Sequence, residues 1–141
     1  MKKYVSHNVE ETQKIAEDFA KTLKSGDVLA FTGGLGAGKT AFVRGLAKGL
    51  NVKGEVCSPT FSIVHEYIGK INLVHFDMYR VSSVDDLYTT GFFDYLDQNV
   101  IMAVEWSENI SAVLPENTVY INICCDENEP DTRYITISSE G

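Results

Sequence analysis

The residues in this chain that are best suited to chemistry form the run Gly-Gly-Leu-Gly-Ala-Gly-Lys-Thr at positions 33–40. Its spacing matches a phosphate-binding loop, in which the glycines at 33 and 38 are followed by Lys39 and Thr40. Glycine permits a tight nest of backbone N–H groups because it has no Cβ atom to oppose a positive φ. We therefore predict that the loop binds a nucleotide triphosphate, with Lys39 on the outer phosphates and the Thr40 hydroxyl on Mg²⁺. The alternative is a glycine-rich turn that holds no ligand.

The segments on either side of the loop are those that a phosphate site needs. Residues 27–32 form a short apolar run that predicts a buried parallel strand. After the loop, apolar residues recur at helical spacing at Phe42, Val43, Leu46, Ala47 and Leu50. The order strand, loop, helix directs the free N–H groups and the positive dipole end of the helix towards the phosphates.

Two acids, Asp77 and Glu105, each follow an apolar run, at positions 73–76 and 101–104. If both runs are strands parallel to the loop strand, their carboxylates emerge at the same edge of the sheet as the loop. There they would hold the Mg²⁺ shell or orient the attacking water. Solvated strand ends without a catalytic role are the alternative.

Four further side chains are candidates with weaker signals. Thr60, after a proline, is placed as a switch hydroxyl for the γ-phosphate or as an ordinary turn residue. Trp106 would line the site or a partner surface, or serve as a core or rim aromatic. His65 and His75 lack metal-ligand spacing, which favours core or surface histidines. The chain has no Asn-Lys-x-Asp element, which favours ATP over GTP without deciding between them.

The remaining patterns predict an α/β fold of three layers, a P-loop NTPase fold whose central sheet is mixed and largely parallel, with one antiparallel hairpin. An amphipathic helix is predicted to begin near Asn8, with Glu11 in a capping box, and to end at residues 25–26. The other predicted elements are a hairpin of strands at 62–68 and 71–77, short helical segments within 84–96, a central strand at 100–105, and strands at 118–124 and 134–138. A length of 141 residues predicts a single P-loop ATPase domain, residues 1–141.

Composition excludes several classes of partner. A net charge of −8 argues against a broad RNA- or DNA-binding face, so any nucleic acid is expected to be held by another subunit. The sequence contains no apolar stretch long enough to span a bilayer and no basic-then-apolar leader at its start. We therefore expect a cytoplasmic protein that binds neither membranes nor DNA.

Four short segments occur in a characteristic order: residues 33–40, Ser-Pro-Thr-Phe at 58–61, His-Phe-Asp-Met-Tyr-Arg at 75–80, and Val-Glu-Trp at 104–106. Together they resemble the bacterial TsaE (YjeE) family, small ATPases needed for threonylcarbamoyladenosine modification of tRNA. The resemblance covers nearly the whole chain. It implies a Mg-ATP-dependent hydrolase that is slow by itself and acts with two partner proteins, of the TsaB and TsaD families. One partner performs the transfer, and tRNA is contacted only through the complex.

The resemblance also implies roles for individual residues. Glu105 would complete the Mg²⁺ site with Thr40, and Asp77 would be the second functional acid. Thr12 and Arg133 match family positions expected near the nucleotide. The predicted catalytic residues are Asp77, Glu105, Lys39 and Thr60, and the predicted nucleotide-binding residues are Thr12, Gly33, Gly34, Leu35, Gly36, Ala37, Gly38, Lys39, Thr40, Ala41, Trp106 and Arg133.

One loop position departs from the family, because Gly34 stands where Asp or Glu is common. The rest of the loop pattern is intact, so we expect nucleotide binding to be retained. Two other functions would use the same loop. A small-molecule kinase needs an acceptor pocket and usually an arginine-rich lid, whereas arginine occurs here only at positions 44, 80 and 133. A nucleotide-binding regulator without turnover would not need Asp77 or Glu105.

Overall fold

The computed structural model describes residues 1–33, 38–53, 64–78 and 81–139. Within these ranges the strands are β1 (Lys2–Ser6), β2 (Val28–Thr32), β3 (Val64–Tyr67), β4 (Asn72–Asp77), β5 (Val100–Glu105), β6 (Val119–Cys125) and β7 (Arg133–Ser138). The helices are α1 (Val9–Ala20), α2 (Lys39–Gly49), α3 (Val84–Tyr88) and α4 (Phe92–Leu96), and a 3₁₀ segment spans Ser107–Val113. None of these helices is both long and apolar enough to cross a membrane.

The described strands form one mixed sheet in the order β1-β7-β6-β2-β5-β4-β3. The four adjacent strands β6, β2, β5 and β4 are parallel, and the pairs at the margins, β1 with β7, β7 with β6 and β4 with β3, are antiparallel. The mixed α/β fold and the antiparallel hairpin are thus as predicted. Because parallel strands end at the same edge, the residues that follow β2, β5 and β4 are neighbours in space.

Two hydrophobic clusters cover the two faces of the sheet, because successive side chains of a strand point to opposite faces. On one face α1 and α2 pack through residues such as Ala16, Phe42 and Leu46 against Leu29 and Phe31 of β2. The other cluster joins β4 and β5 to the short helices; it includes Val74, Phe76, Met102, Val104, Leu87 and Phe92. The sheet is therefore the middle of three layers.

Helices α1 and α2 approach each other closely, and two glycines of α2 make this possible. A Cβ atom added to Gly45 would lie 2.3 Å from the Gln13 carbonyl oxygen, and one added to Gly49 would lie 2.6 Å from that of Glu17. Both distances are too short for any side chain. This packing fixes α2, and with it the residues at its amino end, relative to the sheet.

The structure differs from the predicted elements in three places. Helix α1 begins as predicted, with Asn8 Oδ1 accepting a hydrogen bond from the Glu11 N–H at 2.8 Å. It ends at Ala20, however, and not at residues 25–26, because the turn before β2 is held by Lys24 and Asp27. Strand β1 was not predicted, since its lysines and short length have no strand pattern and it forms by pairing with β7. The 3₁₀ segment was also not predicted.

Candidate active site

Strand order brings the two predicted acids together at the edge where the loop strand ends. Strand β5 lies between β2 and β4 and is parallel to both. In the register of β4 and β5, Asp77 is directly opposite Glu105, so both carboxylates emerge on the same face. That face is the one covered by α2, because Leu73 and Ile101, which precede the acids at alternate positions, pack in the α1 and α2 cluster.

Lys39 is the first residue of α2, and its ammonium is largely withdrawn from solvent, since the residue is 5% exposed. Its Nζ atom lies 3.0 Å from the Gly33 carbonyl oxygen and 4.3 Å from the centre of the Trp106 ring. The helix begins after Gly38, whose φ of 101° is a conformation that only glycine adopts without strain. Among the described residues, no side chain caps this helix start, so its first N–H groups suit an anion.

Trp106 reaches Lys39 because the backbone after β5 turns sharply. The φ angle of Trp106 is 57°, in the left-handed region, which is uncommon for a bulky residue. The next residue anchors this turn, since the buried Ser107 hydroxyl donates a hydrogen bond to the Phe31 carbonyl oxygen of β2 at 3.1 Å. A conformation of this kind persists where the surroundings enforce it, and it often marks a functional site.

The backbone after β4 is tied to the end of β5, which positions Asp77. The Met78 N–H donates to the Glu105 carbonyl oxygen at 3.0 Å. Asn109, in the 3₁₀ segment, donates from its side chain to the Met78 carbonyl oxygen at 2.8 Å. The two strand ends that carry the predicted acids are therefore linked to each other.

Glu105 has a buried partner that was not predicted. It is 5% exposed, and its Oε2 atom lies 2.6 Å from Nε2 of His75, which is fully buried. From its sequence context, His75 was expected to be a core or surface histidine; it lies in the core. The signal that could have found it is strand alternation, because His75 precedes Asp77 by two residues and so shares its face.

Arg133 and Thr12 lie near the same edge, but in different settings. Arg133 begins β7, and its Nε atom is 3.7 Å from the position of a Cβ atom built on Gly38. The guanidinium is thus beside the start of α2. Thr12 is buried in the first turn of α1, where its hydroxyl is 2.6 Å from that of Ser6. A contact between Thr12 and a nucleotide stays a prediction.

The other predicted site residues fall into two groups. Thr40 and Ala41 are half-buried in the first turn of α2, next to Lys39. Gly34, Leu35, Gly36, Ala37 and Thr60 lie outside the described residues. Of the predicted site residues that are described, Lys39, Trp106, Asp77 and Glu105 lie together at one edge of the sheet.

The acids suit a magnesium ion that is held mainly by its nucleotide. In the described part of the chain, no three His, Cys, Asp or Glu side chains cluster as a self-sufficient metal site. Mg²⁺ does not require such a cluster, since it usually binds one or two carboxylates together with phosphates and water. Glu105, Asp77 and the Thr40 hydroxyl are hard oxygen donors of that kind, and the His75 bond engages only Oε2 of Glu105.

Comparison with known proteins identifies relatives over nearly the whole chain. The family model described as "Threonylcarbamoyl adenosine biosynthesis protein TsaE" matches residues 6–135. A Treponema pallidum (strain Nichols) protein named tRNA threonylcarbamoyladenosine biosynthesis protein TsaE is 36% identical over 119 residues, which are 84% of this chain and 88% of the relative. A Bacillus subtilis (strain 168) protein of the same name is 39% identical over 140 residues, or 99% of this chain and 86% of the relative.

A solved structure of a related protein has a similar fold. The crystal structure of Bacillus subtilis YdiB superposes with a TM-score of 0.81 at 36% identity, and the match covers 99% of this chain and 86% of that one. The family resemblance inferred from the four ordered segments is confirmed by these matches. The chain belongs to the TsaE family of threonylcarbamoyl adenosine biosynthesis proteins.

Proposed function

We propose that this protein is a P-loop ATPase that binds Mg-ATP and hydrolyses it within a multiprotein complex for threonylcarbamoyladenosine modification of tRNA. The buried ammonium of Lys39 is the observation that carries the proposal. A buried cation is costly unless it is paired, and a carbonyl oxygen and a ring face compensate for its lost hydration only in part. A phosphate at the start of α2 would supply the missing negative charge.

The surrounding residues support binding of a triphosphate at this position. The N–H groups at the start of α2 and the Lys39 ammonium would hold the phosphates, with Arg133 beside them. Thr40 and Glu105 would hold Mg²⁺, and Asp77 would assist the ion or the attacking water. Mg²⁺ held by these residues would neutralise negative charge that develops on the phosphates.

The proposed partners follow from the family and from the charge of the chain. Relatives carry names that assign them to tRNA threonylcarbamoyladenosine biosynthesis. A chain with a net charge of −8 is a poor tRNA-binding subunit by itself. We propose that members of the TsaB and TsaD families hold the tRNA and complete the site, that the ATPase is slow without them, and that the complex works in the cytoplasm.

The test is ATP hydrolysis and tRNA modification, measured with and without the two partner proteins and tRNA. We expect hydrolysis to rise when the complex is complete, and Lys39→Ala to abolish both activities. The matched control is Lys48→Ala, which removes an exposed lysine from the last turn of the same helix and should change neither. Undiminished modification by Lys39→Ala would contradict the proposal. A phosphorylated metabolite formed without partners would indicate a kinase instead.

A further inference from the structure

We propose that His75 is a positioning residue for Glu105, which orients the carboxylate that serves the magnesium nucleotide. The inference rests on the proposed function, because it assigns His75 a role towards the ion that Glu105 would help to hold. In the proposed function, His75 itself contacts neither the ion nor the nucleotide. His75 acts only through Glu105, by one hydrogen bond.

The contact is built into the register of two neighbouring strands. His75 is paired with Ala103, and Asp77 is paired with Glu105, so His75 is diagonal to Glu105 on the same face. The two side chains meet with Nε2 2.6 Å from Oε2, and both are buried. A short bond in this setting is charge-assisted and holds its partners more firmly than a bond between neutral groups.

The second ring nitrogen determines the direction of the bond. The Nδ1 atom is buried and has no hydrogen-bond partner among the described residues. A hydrogen on Nδ1 would therefore be a buried donor without an acceptor, which is unfavourable. A hydrogen on Nε2 has a carboxylate oxygen at 2.6 Å. The imidazole thus carries its hydrogen on Nε2 and donates it to Glu105.

This donation has a consequence for the other oxygen of the carboxylate. With Oε2 held by His75, the side chain of Glu105 is restricted to one orientation, and Oε1 takes no part in that bond. Partners of this kind fix the orientation of metal-binding groups, and their removal typically weakens metal affinity about 10- to 100-fold. Asp77, in register with Glu105, has no such histidine placed diagonally before it on β5, where Ala103 occupies the equivalent position.

His65 provides a matched control on the adjacent strand. It is paired with His75 between β3 and β4 and is half-buried, and its ring lies 6.3 Å from that of Tyr67. It has no hydrogen bond to an acid in the described part of the chain. The same substitution at positions 65 and 75 therefore separates loss of an imidazole from loss of the bond to Glu105.

One measurement tests the bond without any nucleotide. Long-range proton–nitrogen NMR of the histidine rings at neutral pH distinguishes the two tautomers. For His75 we expect the pattern of a ring with its hydrogen on Nε2, and a different pattern in Glu105→Leu, which removes the acceptor. A ring that lacks a hydrogen on Nε2 would overturn the inference whether or not the protein hydrolyses ATP.

A second measurement tests the role towards the ion. ATP affinity is measured by calorimetry in EDTA, and Mg²⁺ is then titrated into ATP-loaded protein. For His75→Leu we expect a loss of about 10- to 100-fold in Mg²⁺ affinity, with ATP affinity in EDTA and the circular dichroism spectrum unchanged. His75→Gln, whose amide keeps a donor at the position of Nε2, should restore most of the loss. His65→Leu should have no effect.

Three outcomes of this binding experiment would also overturn the inference. Mg²⁺ affinity is unchanged in His75→Leu, or it falls together with ATP affinity in EDTA, or His75→Gln is as impaired as His75→Leu. The second outcome would indicate a purely structural histidine. If wild-type protein itself bound ATP with no dependence on Mg²⁺, the proposed function would fail with the inference. That result is distinguishable from the other three, which leave the wild-type site intact.

Discussion

Two acids, Asp27 and Glu105, are buried to a similar extent at opposite edges of the sheet, with exposures of 7% and 5%. Asp27 precedes β2, at the edge where the parallel strands begin, and Glu105 ends β5, at the edge where they finish. Both oxygens of Asp27 are engaged, because Oδ2 accepts from the Lys24 N–H at 2.8 Å and Oδ1 from the Lys24 ammonium at 3.0 Å. Among the described residues, Glu105 receives a single side-chain hydrogen bond, from His75.

The difference separates an acid that serves the fold from one that suits a ligand. Asp27 closes a turn with groups three residues away, so its hydrogen-bonding capacity is used within its own segment. Glu105 depends on a partner from another strand and retains an oxygen outside that bond. The two acids are thus alike in burial and differ in the origin and number of their hydrogen bonds.

The largest expected effect is on catalysis. In the assembled complex, Glu105→Gln should reduce Mg²⁺-dependent ATP hydrolysis by about 100- to 1,000-fold, a typical loss when one charge-stabilising group is removed. The free energy of unfolding should change by less than about 1 kcal/mol, since the amide oxygen still accepts from His75 and a buried charge is removed. Steady-state kinetics measures the rate of hydrolysis, and chemical denaturation of the same protein preparation measures the free energy of unfolding. Equal losses of Mg²⁺-dependent activity and of ATP binding in EDTA would contradict the assignment of Glu105 to the metal.

The next effect is on stability, and it tests the other acid. Asp27→Ala leaves the Lys24 N–H without its acceptor in a partly buried turn, which should lower the free energy of unfolding by about 1 to 3 kcal/mol. Hydrolysis per folded molecule should not change. Lys24→Ala is the control, because it removes only the ammonium, which is itself exposed, and an ion pair with a solvated partner contributes about 1 kcal/mol or less. Impaired nucleotide binding by folded Asp27→Ala would contradict the distinction between the two acids.

A smaller effect is expected for Trp106, which faces Lys39 at the edge that carries Glu105. Trp106→Leu removes a ring whose contact with a partly desolvated ammonium is worth about 1 kcal/mol. ATP affinity measured by calorimetry should fall about fivefold, which is that free energy expressed as a ratio. Unchanged affinity would show that the ring does not contribute to holding Lys39 for the phosphates.

The smallest effect concerns a half-buried acid outside the site, Asp126, which provides a third acid for the comparison. The pKa of its carboxyl is lowered from 3.8 by the hydrogen bond from the Tyr134 hydroxyl and by that from the Asn128 N–H. A lowered pKa in the folded state adds stability above the unfolded value, and this is lost as the pH falls through the folded value. Tyr134→Phe should raise the pKa of Asp126 towards 3.8 in an NMR titration, and it should slightly lower the denaturation midpoint at neutral pH. A pKa that stays low would assign the shift to the backbone N–H groups alone.

Much of the positioning of the site could be predicted because it depends on local patterns and on parallel strand order. The strand before the loop was predicted from an apolar run, the helix after it from apolar residues at helical spacing, and the two acids from apolar runs that each precede a carboxylate. His75 was missed because its role depends on which strand lies beside β4. Strand β1 was missed for a related reason, since its pairing with β7 joins opposite ends of the chain. Strand alternation gives the face on which a residue lies, as it does for His75, but it carries no information about which strands pair.

The end of α1 shows a different limit of prediction. Gly26 has a φ of 94°, as a residue that ends a helix often does, yet the helix ends at Ala20. Lys24 and Asp27, on either side of Gly26, form their own turn, which competes with further helix. The glycine marked the turn before the strand and not the last residue of the helix.

Trp106 is the only tryptophan in the chain, and its ring lies 4.3 Å from the Lys39 ammonium. The protein therefore has a single built-in optical probe at the site where phosphate is proposed to bind. An anion that attracts the ammonium would change the electric field at the indole, and the emission of that one residue would change with it. Occupancy of the site could be followed in unlabelled protein, with Lys39→Met as the reference in which the emission does not depend on charge at position 39.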